Sequence, residues 1–172
     1  MTNTTAPGEP RKPASKRLPI GIIRKNKARL AAVQAIYSQD IAEKGDNPEE
    51  LIEEFLQRFV EEQAEADEDE DGLVPDTKFF KKLLRGIYAN REEVDRLVAE
   101  HLGTGWDMNR LGGVMRSLLR VGVAELLVFP QTPLKTIVNE YVSLGRGFFG
   151  EQEVGFVNGI LDRIGHKVHT SR

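Results

Sequence analysis

Apolar residues recur at spacings of three and four along most of this chain, and no stretch shows the period of two that marks a half-buried strand. The periodicity starts near Arg24. In RKNKARLAAVQAIYSQDIA, the residues Leu30, Val33, Ile36, Tyr37 and Ile41 share one helical face, and Gly45 follows as a stop. Asn47 is placed to cap a second helix, with Pro48 in its first position and Glu50 completing a capping box. Its stripe is Leu51, Ile52, Phe55, Leu56, Phe59 and Val60. Pro75 and Asp76 open a third helix that carries Phe79, Phe80, Leu83, Leu84, Ile87 and Tyr88. Val94, Leu97, Val98 and Leu102 keep the period beyond Asn90, in the same helix or in a bent continuation.

HLGTGWDMNR reads as a connection, with Asp107 or Asn109 as the next cap. RLGGVMRSLLRVGVAELLVF is apolar nearly all round, so it belongs at the centre. Its Gly112, Gly113 and Gly122 cost helix propensity and are expected to admit close neighbours. Pro130 ends that helix, and Thr132 with Pro133 starts the next. GRGFFGEQEVG reads as a glycine-punctuated turn, and FVNGILDRIGHKV is the last helix, with Phe156, Val157, Ile160, Leu161 and Ile164 inside. The prediction is an all-α bundle of about six or seven helices. At 172 residues the chain is long enough for one domain with a substantial core.

Charge changes the picture. The net charge of −3 conceals two opposed blocks. Residues 1–29 hold eight Lys/Arg against Glu9, and residues 43–71 hold fourteen Asp/Glu against Lys44 and Arg58. A partner feels only the charge within a Debye length of ~8 Å, so these local fields matter more than the total. The expected organisation is a disordered basic tail over 1–22, a single helical domain over 23–168, and within it an acidic mobile loop over 61–75.

Composition excludes several chemistries. With no cysteine there is neither a disulfide nor a thiolate metal site. No apolar run reaches the ~18 residues of a membrane helix. The start MTNTTAPGEPRKPASKRLPIG lacks the apolar stretch of a secretory signal, so a cytoplasmic protein is expected. His101, His166 and His169 do not form a ligand set, and Ser38, Ser117 and Ser143 lie in helical patterns rather than on a nucleophile elbow. GRGFFG follows no strand, there is no GxxxxGK[ST] loop, and AEADEDEDG lacks the glycine and terminal glutamate of a calcium loop. No catalytic residue, metal or cofactor is expected. What remains is recognition. Lys16, Arg17, Arg24, Lys25, Lys27 and Arg29 gather at the start of the first helix, where they can meet phosphates or simply aid solubility.

The C-terminal third then narrows the choice. It contains Leu119-Arg120, Glu125-Leu126, Pro133, Val138-Asn139-Glu140, Phe149-Gly150 and the run from Phe156 through Asn158 to Asp162, in that order. Together with Ala28-Arg29, the run from Ala32 to Tyr37, and FFKKLLRGIYANREEVDRLV, these elements resemble the NusB family over about residues 24–166. The resemblance implies a NusB-like helical bundle in two subdomains. It also implies an antitermination factor that pairs with the ribosomal small-subunit protein acting as NusE. That pair would bind boxA RNA in ribosomal RNA leaders and help RNA polymerase read through terminators. A homodimer is a further implied possibility.

The resemblance assigns RNA contact to Arg24, Lys25, Lys27, Arg29, Tyr37, Arg120, Phe149, Glu153, Phe156 and Asn158. Each has a competing structural reading. Tyr37 and Phe156 are in phase with core positions, Arg120 has Glu125 or Glu140 as a salt-bridge partner, and Asn158 can cap backbone. Glu153 stands in a loop, EQEVG, that is about one residue shorter than the family's and lacks its serine. Met115 replaces an acid often found five residues before the arginine, and the acidic run and long tail are extra. Two other functions compete. One is a helical protein–protein adaptor without RNA contact. The other is the NusB-like domain of an RNA cytosine methyltransferase, for which the chain lacks a glycine-rich cofactor motif. The RNA reading expects the cationic helix tip to lie beside the phenylalanines of the C-terminal turn, as one continuous face.

Overall fold

Four of the helices start where the sequence supplies a cap or a proline. In the computed structural model, which describes residues 18–43, 45–66 and 73–170, the chain forms seven α-helices and no strand among those residues. They are α1 (Ile20–Ala42), α2 (Pro48–Glu65), α3 (Thr77–Ala89), α4 (Arg91–His101), α5 (Gly113–Val128), α6 (Leu134–Gly145) and α7 (Glu151–Thr170). A 3-10 turn, Met108–Arg110, precedes α5.

The Asn47 side chain accepts from the Glu49 N–H at 3.1 Å, with Pro48 behind it. Its amide donates to the Glu50 carboxylate, so the box closes between side chains and not on the cap's own backbone. Asp76 accepts from the Phe79 N–H at 3.0 Å, and Asp107 caps the 3-10 turn through the Asn109 and Arg110 N–H groups. Asn90 divides α3 from α4, and its amide donates to the Gly86 carbonyl at 2.8 Å.

The apolar helix is central, as its pattern requires. Helices α1, α3, α4, α6 and α7 pack around α5, while α2 leans on α3 and α1. Helix α1 runs antiparallel to α5, since Arg29 meets Glu125 and Asp40 meets Arg116. Helix α6 is antiparallel to α5 as well, since Tyr141 meets Glu125 while Gly145 lies against Leu118. The helices share one continuous core from Ala28 to Val168. Gly122 and Gly113 allow the close approach their positions suggested. A β-carbon at Gly122 would stand 3.1 Å from Leu161, and one at Gly113 would stand 2.9 Å from the Tyr37 ring. Gly112, by contrast, faces open space at the helix start.

Several sequence expectations are corrected. The buried face of α1 is turned toward Ala28, Ala31, Ala32 and Ala35, which leaves Ile41 65% exposed. Alanines offer little apolar area, but they let helices lie close, and that decides the face. Helix α2 continues to Glu65, so residues 61–65 of the expected acidic loop are helical, while 67–72 lie outside the described residues. Residues 20–22, assigned to the tail, begin α1, and 1–17, with Lys16 and Arg17, are likewise outside the described residues. Thr132 caps nothing; Pro133 leads α6 without a side-chain cap. EQEVG is the opening of α7 and not a turn.

Candidate nucleic-acid interface

The first turns of α1 are fastened to the entry of α3. The Arg24 carbonyl accepts from the Asp76 N–H at 3.0 Å, and the Arg24 Nε donates to the Val74 carbonyl at 3.0 Å. The Lys25 ammonium lies 5.7 Å from the centre of the Phe79 ring. Phe79 packs on Phe129 with ring centres 4.7 Å apart, and the Lys82 ammonium lies 4.5 Å from Phe129. Arg24, Lys25 and Lys27 are exposed there, so the structure brings three of the expected phosphate contacts to one end of the molecule.

Arg29 does not join them. It is 4% exposed, and its guanidinium grips the Glu125 carboxylate with Nε at 2.9 Å and a terminal nitrogen at 2.6 Å. The Tyr141 hydroxyl donates to the same carboxylate at 2.6 Å. This buried trio ties α1, α5 and α6 together. Burial works against the Arg29 charge, but the hydrogen bonds and charge of Glu125 overcome it and raise the pKa above the ordinary value. Burial first, then the Glu125 charge, holds the Tyr141 hydroxyl well above its usual range. A third bond runs from the guanidinium to the Asn26 side chain at 2.7 Å, and a group so buried does not reach a phosphate at the surface.

Arg120 is corrected too. Its partners are neither Glu125 nor Glu140. It forks onto Asp95 at 2.8 and 3.0 Å and reaches Asp40 at 2.8 Å, where Arg116 also arrives at 3.3 Å. Burial lowers its pKa, and the two aspartates more than restore it. This half-buried network locks α1 to α4 and α5, so Arg120 is a framework residue.

The remaining candidates lie elsewhere. Tyr37 is 37% exposed and leans on Gly113 at the start of α5. Phe149 is half-buried against the core near Gly145, and Phe156 packs partly onto the core from α7. Glu153 and Asn158 are exposed on α7. The exposed ring of the α6–α7 turn is Phe148, 47% exposed beside Arg146, which sequence reasoning passed over. Nothing in two adjacent phenylalanines says which one faces outward.

The cationic tip and this turn are not neighbours. The tip lies by Phe129 at the end of α5, and the turn lies by Leu118. Eleven residues of chain separate them, about 16 Å at 1.5 Å per residue. The expected single face that joins the tip to the turn is therefore corrected: the two lie toward opposite ends of α5. Tyr37 lies at the same end of α5 as the turn.

Comparison with known proteins agrees with this architecture. The chain matches the NusB family over residues 26–166. It is 38% identical over 141 residues to the transcription antitermination protein NusB of Sphingopyxis alaskensis, covering 82% of this chain and 91% of that protein. It is 36% identical over 138 residues to the Caulobacter vibrioides protein of the same name, covering 80% and 89%. Among solved structures, T. maritima NusB superposes with a TM-score of 0.64 at 28% identity, covering 83% of this chain and 91% of that one. A crystal structure of the antitermination factors NusB and NusE in complex with dsRNA gives a TM-score of 0.65 at 26% identity, covering 88% and 99%. Agreement that runs from the first turns of α1 into α7, in sequence and in helix arrangement alike, means that the chain belongs to the NusB family.

Proposed function

We propose that this protein is an RNA-binding transcription antitermination factor. With the ribosomal protein NusE it holds boxA RNA of ribosomal RNA leaders, and the complex promotes read-through by RNA polymerase in the cytoplasm. The observation that carries the reading is the exposed cationic start of α1, where Arg24 is bonded to a carbonyl and Lys25 rests on an aromatic ring. Cations held so, without a carboxylate, are suited to phosphate. The similar structure of NusB and NusE with dsRNA supports both partners.

Phosphates bind at the tip, with Lys27 following Arg24 and Lys25. The strand then runs lengthwise along α1 toward Tyr37 and the α6–α7 turn, where unpaired bases stack on exposed rings, each worth about 1–3 kcal/mol. Glu153, Phe156 and Asn158 on α7 border its far end. No bond is made or broken; the activity is assembly. A homodimer formed through this face would compete with RNA.

In this joint-binding reading RNA and NusE strengthen each other's binding, and the coupling is reciprocal. Fluorescence titrations of boxA RNA with and without NusE should differ by about 5- to 150-fold, the usual span of such coupling. RNA should tighten NusE binding by the same factor. Equal RNA affinities in the two titrations would overturn the joint-binding reading.

A further inference from the structure

We propose that Lys78 and Lys82 of α3 form a second bank of phosphate contacts, so that RNA held at the start of α1 also crosses the first two turns of α3. The inference rests on the RNA reading above and extends its footprint to a helix to which that reading assigns no contact.

The first support is placement. Asp76, which caps α3, also bonds the Arg24 carbonyl, so the opening turns of α1 and α3 are tied side by side. Lys78 and Lys82 stand four residues apart on α3, which puts them on one exposed stripe. The second support is how the lysines are held. Lys25 and Lys82 each lie over one ring of the stacked Phe79–Phe129 pair, so both ammoniums border the same aromatic platform. An ammonium held over a ring is already positioned and loses less rotamer freedom when an anion arrives.

The third support is the absence of partners. Among the described residues, no carboxylate pairs with Lys25, Lys78 or Lys82. The next basic residue of the α3 stripe behaves differently: Arg85 forks onto Glu49 at 2.7 and 3.0 Å. Arg91 and Arg96 on α4 are likewise paired with acids. Crowded like charges repel one another unless an anion joins them, and three such charges on adjoining helices match a polyanion better than a single acidic side chain.

The test is the salt dependence of boxA RNA affinity, measured with the full chain and NusE present. Each phosphate contact to a single strand contributes about 0.7 to the slope of log affinity against log salt. Lys78→Gln with Lys82→Gln should lower the slope by about 1.4, and Lys78→Arg with Lys82→Arg should restore it. If Arg24→Gln with Lys25→Gln lowers the slope while the α3 pair leaves it unchanged, the second bank is refuted and the RNA reading stands. If neither pair lowers it, the RNA reading itself fails. If the α3 pair weakens NusE binding without changing the slope, the surface receives protein, and the proposal is overturned.

Discussion

Glu125→Ala is expected to destabilise the fold by about 3–5 kcal/mol, because removing one partner of a buried ion pair strands the other charge in the core. The carboxylate is fully buried and accepts from Arg29 and from Tyr141. Alanine would leave a buried guanidinium with no carboxylate, only Asn26, and the Tyr141 hydroxyl without its acceptor, at the junction of three helices. The cost is therefore the desolvation of the groups left behind, not the worth of the pair. The urea midpoint should fall at an unchanged slope, and Tm should drop by about 6–20 °C for a chain of this size. Replacing the trio together by Met, Leu and Phe should cost far less, since no charge is then left alone. A loss below about 1 kcal/mol for the alanine variant would place the trio among solvated surface pairs and contradict its burial.

Phe80→Ala should cost a similar ~3–5 kcal/mol, the usual toll of emptying a large aromatic site. Phe80 is fully buried, with Phe59 at 5.2 Å and Phe55 at 5.9 Å between ring centres. Those two rings attach α2 to the bundle, and α2 otherwise touches only α1 to any extent. The loss should therefore be felt first in α2. Amide exchange there should lose protection before α5 or α7 does. Equal loss of protection in all helices, or a cost near zero, would show that α2 is held by something other than this cluster.

The helices were legible because each buries a stripe that repeats every three or four residues, and Asn47, Asp76 and Asp107 mark starts that the structure uses. Where the reading failed, smaller signals had been outweighed. EQEVG is polar and contains a glycine, yet Glu151 and Glu153 suit the first turn of a helix, and α7 begins there. Arg29 matched a family position and was read as an RNA contact. Its spacing said otherwise: it precedes Val33 by four residues and Ile36 by seven, in phase with the core. A lone glutamate in the nearly apolar α5 was the matching sign of a buried partner. The separation of the tip from the α6–α7 turn was not readable at all. It arises because α1 and α6 both pack antiparallel to α5, which sends the start of one and the end of the other to opposite ends. Helical periodicity fixes faces; it carries no information about which ends meet.

Phosphate binding by the tip of α1 is tested most directly by the salt slope of boxA RNA affinity for Arg24→Ala/Lys25→Ala/Lys27→Ala against the unaltered chain. Losing three contacts at about 0.7 each should flatten the slope by about 2 and weaken binding most at low salt, with the fold retained. A well-folded variant that keeps both the affinity and the slope of the unaltered chain would contradict the assignment.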